Sequence, residues 1–301
     1  KGILSGSMRF NRSDTTLAAL GNLTLSQLEY QDTRFDTLNF SVDLGEGKLS
    51  GGMEAIYENK RLIEGKLNVP FELGNPEEFP PGFFERPVEG YLRLNAISLS
   101  RFQQMLDQAG VANTQGILRL DSNLQGTAGN PEFSSTLSLN KAVLSGVKVD
   151  SVLASLDYEH DTSRLLLSAS VNSLRQNAAD IKAEVPFHIN LKTLEVDLPG
   201  ETDSIFVDIE TNRFNLAALN DFVDQTQIRD IEGQLHGDVQ IRGPRNNLQA
   251  GGKLALEGGA LHPVQAGIDV EDIRPVILFQ LDVVRSTEFR AESDRGYIDA
   301  R

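Results

Sequence analysis

Few side chains in these 301 residues are of a type that does chemistry, and their spacing argues against most of it. The four histidines, His160, His188, His236 and His262, never fall at the short spacings by which metal ligands share one hairpin or helix, so they read as solvated or turn positions. Zero cysteines remove disulfides, thiolate metal sites and a thiol nucleophile together. There is no Gly-Xaa-Ser-Xaa-Gly elbow, phosphate loop or dinucleotide fingerprint. The acid pairs Glu77-Glu78 and Glu271-Asp272 read as surface charge, and the glycine clusters 45–52 and 251–259 read as hairpin turns. No enzyme, cofactor or metal set emerges from these residues.

Composition narrows the partners. With 28 basic against 43 acidic residues, the formal charge of −15 argues against nucleic acid, whose binding rests on Lys and Arg at phosphates. No run approaches the roughly 18 apolar residues of a membrane-spanning helix, and no charged-then-apolar signal opens the chain. It starts at Lys1 inside a strand pattern, so a piece of a longer protein is expected, with any anchor or export signal outside it.

The elements that must position these residues are strands. Leu38, Phe40, Val42 and Leu44 alternate with Asn39, Ser41 and Asp43, and Gly45-Glu46-Gly47 turns the chain into 49–56. Similar runs follow at 67–71, 88–95, 116–125, 133–140, 147–158, 165–171, 181–191 and 205–209, with turns short enough for an antiparallel meander. The 181–191 run is the longest, and Pro186 within it predicts an edge or a bulge. Residues 276–284 are apolar on both faces, which predicts cover on both sides.

Four prolines make 74–87 a loop, pinned by Phe79, Phe83 and Phe84 or offering them to a partner. Apolar spacing predicts short amphipathic helices near 98–109 and 215–224.

The two helices belong to a repeat. Adding 117 to Leu99, Phe102, Met105 and Leu106 gives Leu216, Leu219, Phe222 and Val223, and the same offset carries Gly116 to Gly233, Gly126 to Gly243 and Leu139 to Leu256. A looser copy lies upstream, where Val69-Pro70-Phe71 precedes Val185-Pro186-Phe187 by 116 residues. The expected organisation is a partial first repeat (1–97), a second (98–214) and a partial third (215–301) in one elongated body.

Every strand has an apolar side, and periodicity alone leaves two outcomes. A second sheet covers it in β-sandwiches, as in an adhesin or scaffold array. Otherwise it stays open. The order of strands, short apolar helix, Gly-Xaa-Leu strand, turn at Gly129-Asn130-Pro131 and Leu-Xaa-Leu resembles the AsmA-like superfamily, and within it the TamB family. The second copy departs from the first, with Gly243-Pro244-Arg245-Asn246 at the turn.

The resemblance implies an all-β-dominated, curled antiparallel sheet, a groove with an apolar inside. It implies a periplasmic location in a diderm envelope, an inner-membrane anchor beyond this segment, an outer-membrane barrel partner of the TamA type, and phospholipid acyl chains as cargo. It further implies a role in outer-membrane protein assembly; a chaperone-like module that offers sheet edges to unfolded strands is the alternative. On that reading the groove is lined by Leu38, Phe40, Val42, Val69, Phe71, Leu165, Leu167, Val185, Phe187, Ile189, Leu235, Leu254 and Leu256.

Overall fold

The computed structural model describes residues 2–12, 17–30, 33–45, 47–71, 81–103, 115–144, 146–173, 176–190, 195–197, 199–281, 283–293 and 296–300. The alternation becomes one antiparallel sheet of 18 strands with a separate two-stranded hairpin. The first half holds β1 (Ile3–Arg12), β2 (Leu17–Tyr30), β3 (Thr33–Gly45), β4 (Lys48–Tyr57), β5 (Lys60–Pro70), β6 (Glu89–Ser98), β7 (Gln115–Gly126), β8 (Pro131–Leu144) and β9 (Val147–Glu159). Next come β10 (Arg164–Ser173), β11 (Gln176–Pro186), β12 (His188–Asn190), β13 (Glu195–Asp197), β14 (Ser204–Asn215), β15 (Ile228–Pro244) and β16 (Gln249–Pro263). The chain closes with β17 (Val270–Ile273), β18 (Val276–Leu281), β19 (Val283–Ser293) and β20 (Gly296–Ala300).

The meander expected from the short turns runs through most of the sheet. Each strand from β2 to β11 pairs with the one before it. The sheet then passes over the β12–β13 hairpin, from β11 to β14, β15 and β16. Its two ends are open, β1 bonding to β2 and β20 to β19 among the described residues. The other sheet among those residues is the two-stranded β12–β13 hairpin, far too small to cover the first, so the large sheet is open and the β-sandwich alternative is not the fold.

The sheet is curled. Register shifts fall at Ala55/Ile56, Leu94/Ile97, Gln115/Ile117, Val171/Asn172, Thr211/Phe214 and Arg229/Glu232, all toward the same margin of the sheet. Left-handed Ala96 (φ 22°), Arg213 (φ 55°) and Asp230 (φ 56°) sit inside three of them. A bulge bends its strand and raises the local twist, so a row of them folds one margin of the sheet inward.

At that margin lie the segments expected to be short amphipathic helices. Their described residues form 3-10 turns, η1 (Leu99–Phe102) and η2 (Leu216–Phe222); residues 104–109 of the first expected helix lie outside the described residues. Apolar residues three apart stack on one side of a 3-10 turn as well as of an α-helix, so the spacing could not tell them apart. In η2 the Asn215 side chain accepts from the Ala217 N–H at 3.0 Å. Asn220 both accepts from the Ile231 N–H at 2.8 Å and donates to the Ile231 carbonyl at 3.0 Å. Those two groups belong to the irregular stretch of β15 where the ladder to β16 skips, so Asn220 stands in for the missing strand partner.

η2 rests on β15 and also reaches β8, although β9, β10, β11 and β14 intervene. On a flat sheet those five steps of about 4.8 Å would keep β8 and β15 about 24 Å apart, so the face under η2 is concave. Leu99 of η1 is buried on the same face with Leu139, Ala142 and Val149. The stretch expected to be covered on both sides is instead split between β18 and β19, and Val284 is exposed.

Candidate functional site

Partners in an antiparallel register point to the same side, so the pairings decide which residues share a face. Starting at Phe40, one rung runs Leu23, Phe40, Met53, Gly65, Leu92, Ser122, Ser135, Leu156, Leu167, Ala183, Val207, Ile241 and Ala250. The rung beside it runs Met8, Gly21, Val42, Gly51, Leu67, Gly90, Leu124, Phe133, Tyr158, Leu165 and Val185. A third runs Leu25, Leu38, Ala55, Ile63, Leu94, Leu120, Leu137, Ala154, Ala169, Ile181 and Ile209 without a polar side chain. This concave apolar face is the candidate site.

Much of it is open. Phe40 is 39% exposed, Leu67 44% and Leu167 40%. Between β3 and β8 the face holds a cavity of about 670 Å³, lined by Phe40, Val42, Met53, Leu67, Leu92, Leu124 and Phe133 and almost free of polar surface. Its floor alternates large and absent side chains. A Cβ added at Gly90 would touch Leu67 at 3.1 Å, and one at Gly65 would touch Met53 at 3.0 Å, so each glycine lets a neighbour's side chain lie flat across it. At Gly51 a Cβ would meet nothing within 4 Å, which leaves a notch in the floor. The clusters read as turns are therefore only partly turns: Gly51 and Gly52 lie inside β4, and Gly251, Gly252, Gly258 and Gly259 inside β16.

The opposite face is polar and knitted together. Thr24 donates to Asn39 at 3.0 Å, Asn39 to Glu54 at 3.3 Å, and Arg61 bridges Glu54 at 2.5 Å and Glu64 at 3.0 Å. Tyr91 donates to Glu64 at 2.8 Å and carries the Arg93 guanidinium 4.7 Å from its ring centre. The Tyr91 hydroxyl, and after it Arg61, hold the Glu64 carboxyl below the usual glutamate range.

The sequence-derived lining residues divide between the face and its rim. Leu38, Phe40, Val42, Val69, Leu165, Leu167, Val185, Leu235, Leu254 and Leu256 share the apolar face by register. Phe71 lies just past β5, its N–H donating to the Gly47 carbonyl at 2.9 Å. Phe187 and Ile189 do not continue β11: the strand ends at Pro186, which has no N–H for the ladder, and Ile189 belongs to the separate β12–β13 hairpin. Met53, Leu92, Leu124 and Phe133 were not singled out; the Gly90-Tyr91-Leu92-Arg93-Leu94 alternation carries the signal for Leu92.

Of the polar candidates, His160 and His188 do come together, ring centres 5.3 Å apart. His262 lies 2.6 Å from Asp269, and Asp272 bridges Arg274 and Arg290 at 2.5 and 3.2 Å. Among the described residues no three His, Asp or Glu side chains gather as a metal site. Glu77, Glu78 and Phe79 lie outside the described residues, while Phe83 and Phe84 meet edge-on at 5.4 Å, with Phe83 buried against Val88 and Ala128. No family model matches the chain, and no curated protein or solved structure shows significant similarity to it.

Proposed function

We propose that the apolar trough conducts phospholipid acyl chains through the periplasm as one segment of an inner-membrane-anchored, AsmA-like protein, built from units repeating every 117 residues and delivering to an outer-membrane barrel partner. The observation that carries this reading is the concave face whose apolar rungs extend from β2 to β14 with large side chains such as Phe40 and Leu67 open to solvent. Exposed apolar patches of this extent are costly unless something occupies them. Each methylene kept from water is worth about 0.8 kcal/mol, so a sixteen-carbon chain crossing an aqueous gap bare faces on the order of 10 kcal/mol. A trough removes most of that barrier while the headgroup stays in water along its mouth. Similar rungs strand after strand supply shallow, repeated wells, which movement needs more than one tight site.

The test compares residues of equal exposure on opposite faces. Leu167 (40% exposed) lies in the trough and Leu153 (48% exposed) on the outer face. A photo-crosslinking residue at Leu167 or Leu92 should capture labelled phospholipid, and one at Leu153 should not. Equal capture at both faces, or none in the trough, sinks the reading. A second reading, capture of an unfolded outer-membrane strand, is favoured by the open edge of β1, where Leu4, Met8 and Phe10 are exposed. Proline at Leu4 and Gly6, whose N–H groups alternate away from β2 toward the open edge, would abolish that capture and leave lipid crosslinking at Leu92 intact.

A further inference from the structure

The open cavity stops at Phe133 on β8, where the next strand carries its register partner Tyr158. Tyr158 is only 3% exposed, although its partner on β10, Leu165, is half-buried. The chain that follows β11 covers it. Phe187 meets the Tyr158 ring edge-on, centres 5.6 Å apart at 85°, and the Ile189 N–H donates to the Tyr158 hydroxyl at 3.2 Å. On the neighbouring rung Ser122 and Ser135 bond to each other at 2.7 Å, the polar interruption in that row, so the apolar lane narrows at the same place.

Among the described residues this cover is fastened by few contacts. The Phe187 N–H reaches the Ser163 carbonyl at 2.9 Å, and beyond it β12 pairs with β13 and not with the main sheet. His188 Nδ1 lies 3.5 Å from the Ser163 hydroxyl, which itself donates to the His160 carbonyl at 3.3 Å. Tyr158 and His160 are linked too, hydroxyl to Nδ1 at 3.3 Å. The ladder underneath is continuous on both sides of β10 from Arg164 to Val171. A segment held by so few bonds opens at a lower free energy than the strands it lies against.

We propose that residues 187–189 form a gate across the trough. It is closed when Phe187 sits on Tyr158, and it opens when Phe187 leaves that ring and joins the cavity to Leu165 and Val185, which lie beyond Tyr158 on the same rung. This rests on the trough reading for what passes through, but not for whether the segment opens.

Two measurements on the whole chain separate those questions. In native-state amide exchange, Phe187 and Ile189 should exchange at least about tenfold faster than the ladder amides of β9 and β10. Tyr158→Phe keeps the ring and removes the hydroxyl, so Ile189 should speed up about fivefold more while β9 and β10 stay unchanged. Ile189 exchanging as slowly as the ladder overturns the gate. In the second measurement a photoreactive dodecyl diazirine is mapped by mass spectrometry. It should label Leu67 and Leu92 in the native chain, and extend to Leu165 and Val185 in Phe187→Ala. Identical maps with the cavity labelled also overturn the gate. A cavity unlabelled in both proteins sinks the trough reading instead, and amide exchange alone then decides the gate.

Discussion

A side chain placed at Gly51 would enter the cavity without touching its walls, whereas one placed at Gly251, equally free of neighbours, would point from the outer face of β16. Gly51→Leu should therefore lower the affinity for a fluorescent fatty acid about tenfold, or about 1.4 kcal/mol, while Gly251→Leu leaves it unchanged. Neither should lower the melting temperature, since each replaces glycine within a strand by a residue better suited to one. Gly237 is the opposite case, with φ at 132° and a Cβ that would overlap the Lys253 carbonyl oxygen. Gly237→Ala should cost about 1–3 kcal/mol in denaturant unfolding.

Protonation on the outer face has a predictable sign. The Glu64 carboxyl is depressed by the Tyr91 hydroxyl and by Arg61, so its contribution is present above the ordinary glutamate range and fades as pH falls through its own lower value. Tyr91→Phe removes the largest of those causes. The Glu64 carboxyl should then titrate at higher pH, which carbon-detected NMR reads directly.

Among the elements, η2 depends on one side chain more than on its own propensity. Asn220 satisfies both main-chain groups of Ile231, and Asn220→Ala leaves them without that partner. At about 1 kcal/mol per bond the change should cost about 2 kcal/mol in equilibrium unfolding, with Asn220→Asp restoring only the bond to the Ile231 N–H.

The same region marks what the sequence could convey. Leu38, Phe40 and Val42 were legible as one face because period two survives any choice of partner. Phe187 and Ile189 were misplaced because the alternation continues unbroken through Val185-Pro186-Phe187-His188-Ile189, while the ladder stops where Pro186 offers no donor. Gly51 and Gly65 were illegible as floor because a glycine signals a turn and a notch alike until its cross-strand partners are known. The Asn220 contacts join η2 to the stretch of β15 where the ladder skips, an irregularity that no periodicity announces.

Across the described residues, most strands touch only their neighbours in the chain. Stability in such an array is close to a sum of local and nearest-neighbour contributions, so damage stays where it is made. Gly237→Ala should raise amide exchange in β14, β15 and β16 and leave β3, β4 and β5 at native rates. Uniform acceleration from end to end would show instead that the sheet unfolds as one cooperative unit. The continuous third rung, from Leu25 to Ile209, is what lets so long a sheet share one concave side without a closed core.

The meander has a further consequence for how the molecule comes into being. Because β2 completes β1, β3 completes β2, and so on through β11, each hairpin can set as soon as it emerges, using nothing still to be made. A polypeptide laid out in this way can be fed through a narrow exit from its first strand onward, like tape settling into a coil, with its leading end already folded while its tail is still unspooled.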